Sequence, residues 1–259
     1  MITLNRDFCP RRLGMIGRLA ALVLPLVSIL ICTAAANETI RIAHQTNFAP
    51  FVYVKDGRSA GLVVDILDAA AADEGITVVF VPVPFAQVDG TLTDGRADAI
   101  VPLAITPDRR KTYDFSSTLV MTGGAFFVRA PGAPPPDLAS LSGKTLATPA
   151  TGPFVNYIRK TAPDVKLVIT TDYPETFEKV INGTVDAAAL NLQVGTNMVV
   201  TSYANKITVP KAMFTPPLRY AVAVMKGRHA DFLAKLDAGI SVIIADGTLK
   251  KIEDRWKNR

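Results

Sequence analysis

DGRADA, residues 94–99, and NGTVDA, residues 182–187, are the same joint written twice. In each, a glycine two positions into the stretch reads as a helix stop, and the aspartate that follows leads into a short run of alanine and larger apolar residues. Outward from the first copy, the chain alternates strand and helix. It reads TIRIA (39–43) as strand, GLVVDILDAAAADEG (61–75) as helix, TVVFVPV (77–83) as strand, FAQVDGTLTDG (85–95) as helix and ADAIVPL (97–103) as strand. Outward from the second copy the order recurs. KTLATP (144–149) is strand, PFVNYIRKT (153–161) helix, VKLVIT (165–170) strand, PETFEKVING (174–183) helix and VDAAAL (185–190) strand. An alternation of this kind implies mostly parallel sheets covered by helices. The expected fold class is α/β, with two similar lobes.

Between the copies lies MTGGAFFVRAPGAPPPD (121–137), read as a crossover followed by a stiff proline-rich surface segment. After the second copy FTPPLRYAVAVMKG (214–227) supplies another long strand. ADFLAKLDAGISVIIADG (230–247) and TLKKIEDRWKN (248–258) read as helices that return to the first lobe, with Trp256 and Ile252 docked inward. Two crossovers make a hinge, and a hinged cleft between α/β lobes can trap a small molecule. The expected division is residues 1–36 as a signal peptide, 37–122 with 221–259 as lobe one, and 123–220 as lobe two.

The N-terminus has the three parts of a secretory signal: a basic start, the apolar run LAALVLPLVSILIC (19–32), and an A-x-A cleavage site at Ala34 and Ala36. It predicts export to the periplasm and a mature chain beginning at Asn37. Ile31 is too bulky for a lipid-anchoring site at Cys32. Removal of the signal takes four arginines and one aspartate, so the net charge falls from +5 to +2 and gives no argument for nucleic acid. Cys9 and Cys32 leave with it, so no disulfide is expected. With only His44 and His229 and no remaining cysteine, no metal site or cofactor is expected. No later run approaches the length of a membrane span.

AITPDRRKTYDFSS (104–117) carries the strongest chemical signal. Thr106-Pro107-Asp108 reads as a helix start, with a hydroxyl cap and proline in the first helical position. Arg109 and Arg110 follow in the first turn, where the helix dipole disfavours cations. Such a misplaced arginine can reach off the helix to hold an anion. Arg109 follows strand 98–103, Phe48 follows strand 39–43 and Phe85 follows strand 77–83. In open α/β sheets ligands sit beyond the carboxyl ends of the strands, so these three side chains are expected on one rim. The turn PATGPF (149–154) and the segment around Asn191 face them from lobe two.

In order across nearly the whole mature chain, IRIAHQTNFAPFVY, DGRSAGLVVDILDAAA, LTDGRADAI, AITPDRRKTYDFS, LSGKTLAT, YPETFEKVINGTVDAAALN and ADGTLKKIEDRW resemble the family 3 extracytoplasmic solute-binding proteins, the polar amino-acid receptors of ABC importers. The resemblance implies a type II periplasmic binding fold. It also implies a monomer that traps an amino acid or related organic anion in its cleft and hands it to a membrane permease. On the matching positions it gives Arg109 the ligand's carboxylate and places Phe48 and Phe85 on its side chain. Arg110 has no such role. Asn191 falls where the family has the aspartate for the α-ammonium, Gln45 where it has a frequent acid, and Ser117 where another acid follows. Pro102 and Ala104 replace hydroxyls before the arginine. Thr151-Gly152-Pro153 stands for a Gly-Thr-Thr turn whose backbone N–H groups can serve an anion, with Pro153 removing one. With those acids replaced by neutral groups, the expected ligand is a small organic anion without an α-amino group.

The rival function is an enzyme on the same scaffold, resembling the cyclohexadienyl dehydratases. Their chemistry needs a proton donor in the cleft, and Asn191 supplies none. A sensor input domain is a third class. SGKT at 142–145 lacks the first glycine of a phosphate loop and precedes its strand, and no Gly-x-Ser-x-Gly elbow occurs.

Overall fold

The two aspartates of the repeated joint do the same work in the structure. In the computed structural model the Arg41 backbone N–H donates to the Asp98 carboxylate at 2.9 Å, and the Thr145 N–H donates to Asp186 at 2.7 Å. The return bonds also match, Asp98 N–H to the Arg41 carbonyl at 2.8 Å and Asp186 N–H to the Thr145 carbonyl at 3.0 Å. Each aspartate therefore pins the third strand of its sheet against the first. Gly95 and Gly183 sit at φ +74° and +77°, the left-handed conformation that ends the preceding turn without a Cβ clash.

The structure describes residues 38–72 and 74–257; the expected signal peptide over 1–36, its cleavage site and both cysteines lie outside them. The first part runs β1 (Glu38–Gln45), a three-stranded antiparallel flap of β2 (Asn47–Phe48), β3 (Val52–Lys55) and β4 (Arg58–Ala60), then helix α1 (Leu62–Ala71), β5 (Ile76–Val83), helix α2 (Gly90–Thr93) and β6 (Ala99–Ala104). Next come β7 (Tyr113–Phe115), β8 (Val120–Thr122) and β9 (Gly124–Arg129). The second part runs β10 (Thr145–Pro149), α3 (Phe154–Thr161), β11 (Lys166–Thr170), α4 (Tyr173–Ile181), β12 (Ala187–Asn191), α5 (Leu192–Ser202) and β13 (Ile207–Thr208). β14 (Leu218–Met225), α6 (Ala230–Ala245) and α7 (Thr248–Lys257) close the chain.

One sheet has the order β5-β1-β6-β14-β7, with β8 also on β14, and the other the order β11-β10-β12-β9-β13. Within each, the first three strands are parallel and the fourth is antiparallel. The two sheets exchange chain at Gly123, between β8 and β9, and again between β13 and β14. Among the described residues this is the expected two-lobed α/β fold with two crossovers. β14 pairs along its whole length in the first sheet, from Leu218 onward.

Both faces of the first sheet are buried, as a parallel sheet requires. Ile40 and Ile42 of β1 pack toward α1 and α6, while Ala43 joins Val83, Ile100 and Leu103 on the other face. The C-terminal helices do return to α1. The Trp256 indole N–H donates to Asp65 at 2.8 Å, and Ile252 is buried.

Two expected helices are shorter than their patterns. Residues 85–95 form a single 3-10 turn over Phe85–Gln87 and the one-turn α2, interrupted near Gly90. The Thr106 start leads only to a 3-10 turn, Arg109–Lys111, because β7 begins two residues later. The Thr106 hydroxyl still caps it, accepting from the Arg109 N–H at 3.2 Å.

Candidate functional site

The carboxyl ends of β1, β5, β6, β10 and β11 converge on a small cavity of about 30 Å³. From the first sheet come Gln45 at the end of β1, Phe48 in β2, Phe85 after β5 and Ala104 at the end of β6. Arg109 reaches in from the 3-10 turn after β6. From the second sheet come Thr151 and Gly152 after β10 and Tyr173 at the start of α4, after β11. This is the placement that the open-sheet rule predicts.

Arg109 spans the site. Its Nη1 donates to the Ala104 carbonyl at 3.2 Å and its Nη2 to the Thr151 carbonyl at 2.8 Å, so one side chain bridges the two sheets' loops. A guanidinium has five N–H donors, and these bonds use two. Burial pulls its pKa below the usual arginine value, with Asp89 and then Tyr220 opposing. Opposite it, the Thr151 hydroxyl is buried with no hydrogen-bond partner among the described residues. A buried polar atom left unpaired costs about 1–3 kcal/mol, so this pair of groups is poised for an acceptor. Arg110 behaves differently: it is exposed, with its guanidinium 5.8 Å from the Phe115 ring centroid.

The turn offers less backbone than the sequence suggested. The Gly152 N–H is spent on the Pro149 carbonyl at 3.2 Å, and Pro153 has none. The Thr151 backbone N–H and hydroxyl are the groups there with no hydrogen-bond partner among the described residues.

Seven of the eight expected positions line the cavity: Gln45, Phe48, Phe85, Ala104, Arg109, Thr151 and Gly152. Asn191 does not. It ends β12 fully buried, with its side-chain oxygen accepting from the Val194 N–H at 3.2 Å as the cap of α5. Its backbone N–H donates to the Tyr173 hydroxyl at 3.3 Å and its Nδ2 to the Tyr220 hydroxyl at 3.5 Å. A capping residue is turned back toward its own helix, so it stands behind the wall and holds two tyrosines that form it.

Those tyrosines were not foreseen, nor was Asp89. Tyr173 stacks with Phe48 and with Phe85, ring centroids 6.1 Å apart in both cases at 10° and 17°. The aromatic surfaces expected to receive a ligand thus receive a side chain of the second lobe. Burial pushes the Tyr173 and Tyr220 phenols well above their ordinary pKa, so both stay neutral donors. Asp89 is half-buried on the cavity wall. Burial raises its pKa and Arg109 partly offsets this. The expectation of a cavity without a carboxylate is therefore corrected: the acid comes from the start of α2, a position at which no acid was sought.

His44 lies just outside the cavity and is fully buried. Its Nδ1 faces the Gln45 carbonyl at 2.8 Å and so carries the proton, leaving Nε2 to accept from the Ser59 hydroxyl at 2.6 Å. A second cavity of about 220 Å³ lies beyond Tyr173, sharing Gln45, Phe85 and Tyr173 as its wall. A third, of about 690 Å³, lies behind Arg109 along α3. Among the described residues no group of histidines, cysteines and carboxylates could hold a metal ion, and no helix is long and apolar enough to cross a membrane.

The sequence profile of the bacterial extracellular solute-binding proteins, family 3, matches residues 40–259. The chain belongs to that family. It is 26% identical over 230 residues to the ABC transporter arginine-binding protein 1 of Escherichia coli K12, covering 86% of this chain and 92% of that one. It is 24% identical over 216 residues to the probable amino-acid-binding protein YxeM of Bacillus subtilis, covering 81% and 80%. The virulence sensor protein BvgS of Bordetella bronchiseptica matches at 24% over 226 residues, but this chain spans only 18% of it. Among solved structures, an ancestral arginine-binding protein bound to arginine superposes with a TM-score of 0.76 at 26% identity, covering 85% of this chain and 99% of that one. A histidine kinase sensor domain with similarity to periplasmic binding proteins gives 0.78 at 23% identity, over 85% and 96%. The chain is thus a small-molecule binding protein of a two-lobed fold.

Proposed function

We propose that this protein traps a small carboxylate-bearing solute, an amino acid or related organic anion, and delivers it to the membrane permease of an ABC importer. It does so as a periplasmic monomer after its signal is removed. One observation carries the reading. Arg109 has donors to spare at the cavity, and the hydroxyl of neighbouring Thr151 lacks a partner among the described residues. A carboxylate between them accepts from both, and its charge-assisted bonds to a guanidinium exceed the two carbonyl bonds that now hold the fork. Names of the relatives support the solute class, since several are described as amino-acid- or arginine-binding proteins.

The cavity in this state has about the volume of one water molecule, far below the several hundred Å³ of a ligand pocket. A solute therefore enters when the lobes part and Tyr173 leaves Phe48 and Phe85. That movement also joins the inner cavity to the one beyond Tyr173.

A thermal-shift screen of the mature protein against amino acids and small carboxylates tests this. At a hundredfold excess over Kd a true ligand adds about 2.7 kcal/mol, or roughly 5–10 °C in a domain of this size. Arg109→Ala is expected to remove about 2–5 kcal/mol of binding, the scale of truncating a buried charge pair. Arg110→Ala is expected to leave binding unchanged. Equal losses at both arginines, or no shift with any carboxylate, would refute the reading.

A second reading gains from Asp89. A carboxyl group whose pKa burial raises is a possible proton donor, which the dehydratase-like chemistry needs. Prephenate turnover by the wild type, lost in Asp89→Asn, would establish that enzyme; binding without turnover would dismiss it.

A further inference from the structure

Tyr173 is a side chain of the second lobe lodged on aromatic surfaces of the first. Its ring is buried and lies nearly parallel to two others, 6.1 Å from Phe48 at 10° and 6.1 Å from Phe85 at 17°. Phe48 and Phe85 follow strands of the first sheet, whereas Tyr173 opens α4. The contact therefore fastens one lobe to the other through the protein's own side chains.

The second lobe presents this ring on a rigid mount. Asp172 caps α4, its carboxylate accepting from the Glu175 N–H at 2.9 Å, and Pro174 fixes the backbone of the first turn. The Tyr173 hydroxyl accepts from the Asn191 N–H at 3.3 Å and is so tied to the end of β12. A ring held at both ends moves with its lobe. Arg109 adds a second fastening, since its fork bonds the Ala104 carbonyl of its own lobe at 3.2 Å and the Thr151 carbonyl of the other at 2.8 Å. Both fastenings use groups that the receptor reading gives to the solute.

We propose that Tyr173 is a built-in competitor of the solute: it holds the lobes together in the solute-free protein and must be expelled from Phe48 and Phe85 for a solute to bind. This rests on the receptor reading above and adds a regulation of its site. Apparent affinity is then lowered by the fraction of molecules in which the ring is withdrawn. Aromatic pairs of this geometry contribute up to about tenfold each beyond the area they bury. Removing the ring should therefore tighten binding, the reverse of trimming a side chain that touches the solute.

The chain from Asn37 onward contains no cysteine. Spin labels on Lys55→Cys and Glu178→Cys, exposed positions one on each lobe, therefore report lobe separation by double electron–electron resonance. Without solute, the labelled protein should give one short distance, and Tyr173→Ala in that background a longer or broader distribution. Tyr173→Leu, which keeps apolar bulk for folding, should move it in the same direction. Calorimetric titrations use L-arginine, L-glutamine, L-phenylalanine and phenylpyruvate. Any of these that binds the wild type should bind Tyr173→Ala about tenfold or more tightly. Lobes already apart in the labelled parent, or a distribution that neither substitution changes, overturns the inference while the receptor reading stands. Equal or weaker binding by Tyr173→Ala does so too. If no compound binds either protein, the receptor reading loses its support, and the distances still decide whether Tyr173 fastens the lobes.

Discussion

His44 shows how a single side chain at the rim can tie the site to pH. Burial holds its pKa below the ordinary 6.5, and the bond to the Gln45 carbonyl only partly opposes this. The folded protein therefore disfavours the imidazolium relative to the unfolded chain. Above about pH 6.5 both states are neutral and the contribution to stability is complete. As pH falls through that value the unfolded chain takes up a proton that the folded one does not, and stability declines until the folded ring also titrates. The melting temperature should fall between about pH 7.5 and about pH 5.5. In His44→Gln, part of that slope should vanish; an identical slope in the variant would contradict it. At this scale the sequence was legible where a residue type is out of place, as Arg109 is at the start of a helical turn. Phe48 and Phe85 followed from their position after strands. Asp89 and Tyr173 were illegible because acids and tyrosines at helix starts are ordinary, and only folding turns them toward one cavity. Asn191 misled because its place in the chain is right while its side chain is committed to capping α5.

The helices pack on sequence features that patterning alone does not display. Gly239 of α6 lies against α1 so closely that a Cβ there would meet the Ala70 carbonyl oxygen at 1.9 Å. Alanine would gain about 1 kcal/mol of helix propensity over glycine, but forcing the helices apart costs about 1–3 kcal/mol or more. Gly239→Ala is thus expected to lower the urea-unfolding free energy; a more stable variant would show that α6 can slide freely. Strands β6 and β12 were readable because their apolar runs begin after a glycine stop and an aspartate pin. α5 was not, since Gly195, Thr196, Val199 and Val200 are poor helix formers, and it is held by the Asn191 cap and by burial of Val194 and Met198. The flap β2–β4 has strands too short for a period to emerge. Residues 85–95 carry helical spacing, but only one turn of α-helix survives there.

Across the whole molecule, the repeat of β-α-β-α-β was enough to give the lobes, because each copy carries the same aspartate-to-strand bond. Their closure was not legible. It depends on contacts between segments far apart in the chain: Arg109 on the Thr151 carbonyl and Tyr173 on two phenylalanines. These contacts cross a cavity of about one water's volume, so the account requires them to exchange for contacts with a solute. The direct test is a crystal structure of the mature protein with the solute that raises its melting temperature most. The account predicts the solute's carboxylate on the Arg109 guanidinium and the Thr151 hydroxyl, with Tyr173 displaced from Phe48 and Phe85. A solute seated instead in the cavity along α3, with Arg109 still on the Ala104 and Thr151 carbonyls, would contradict it.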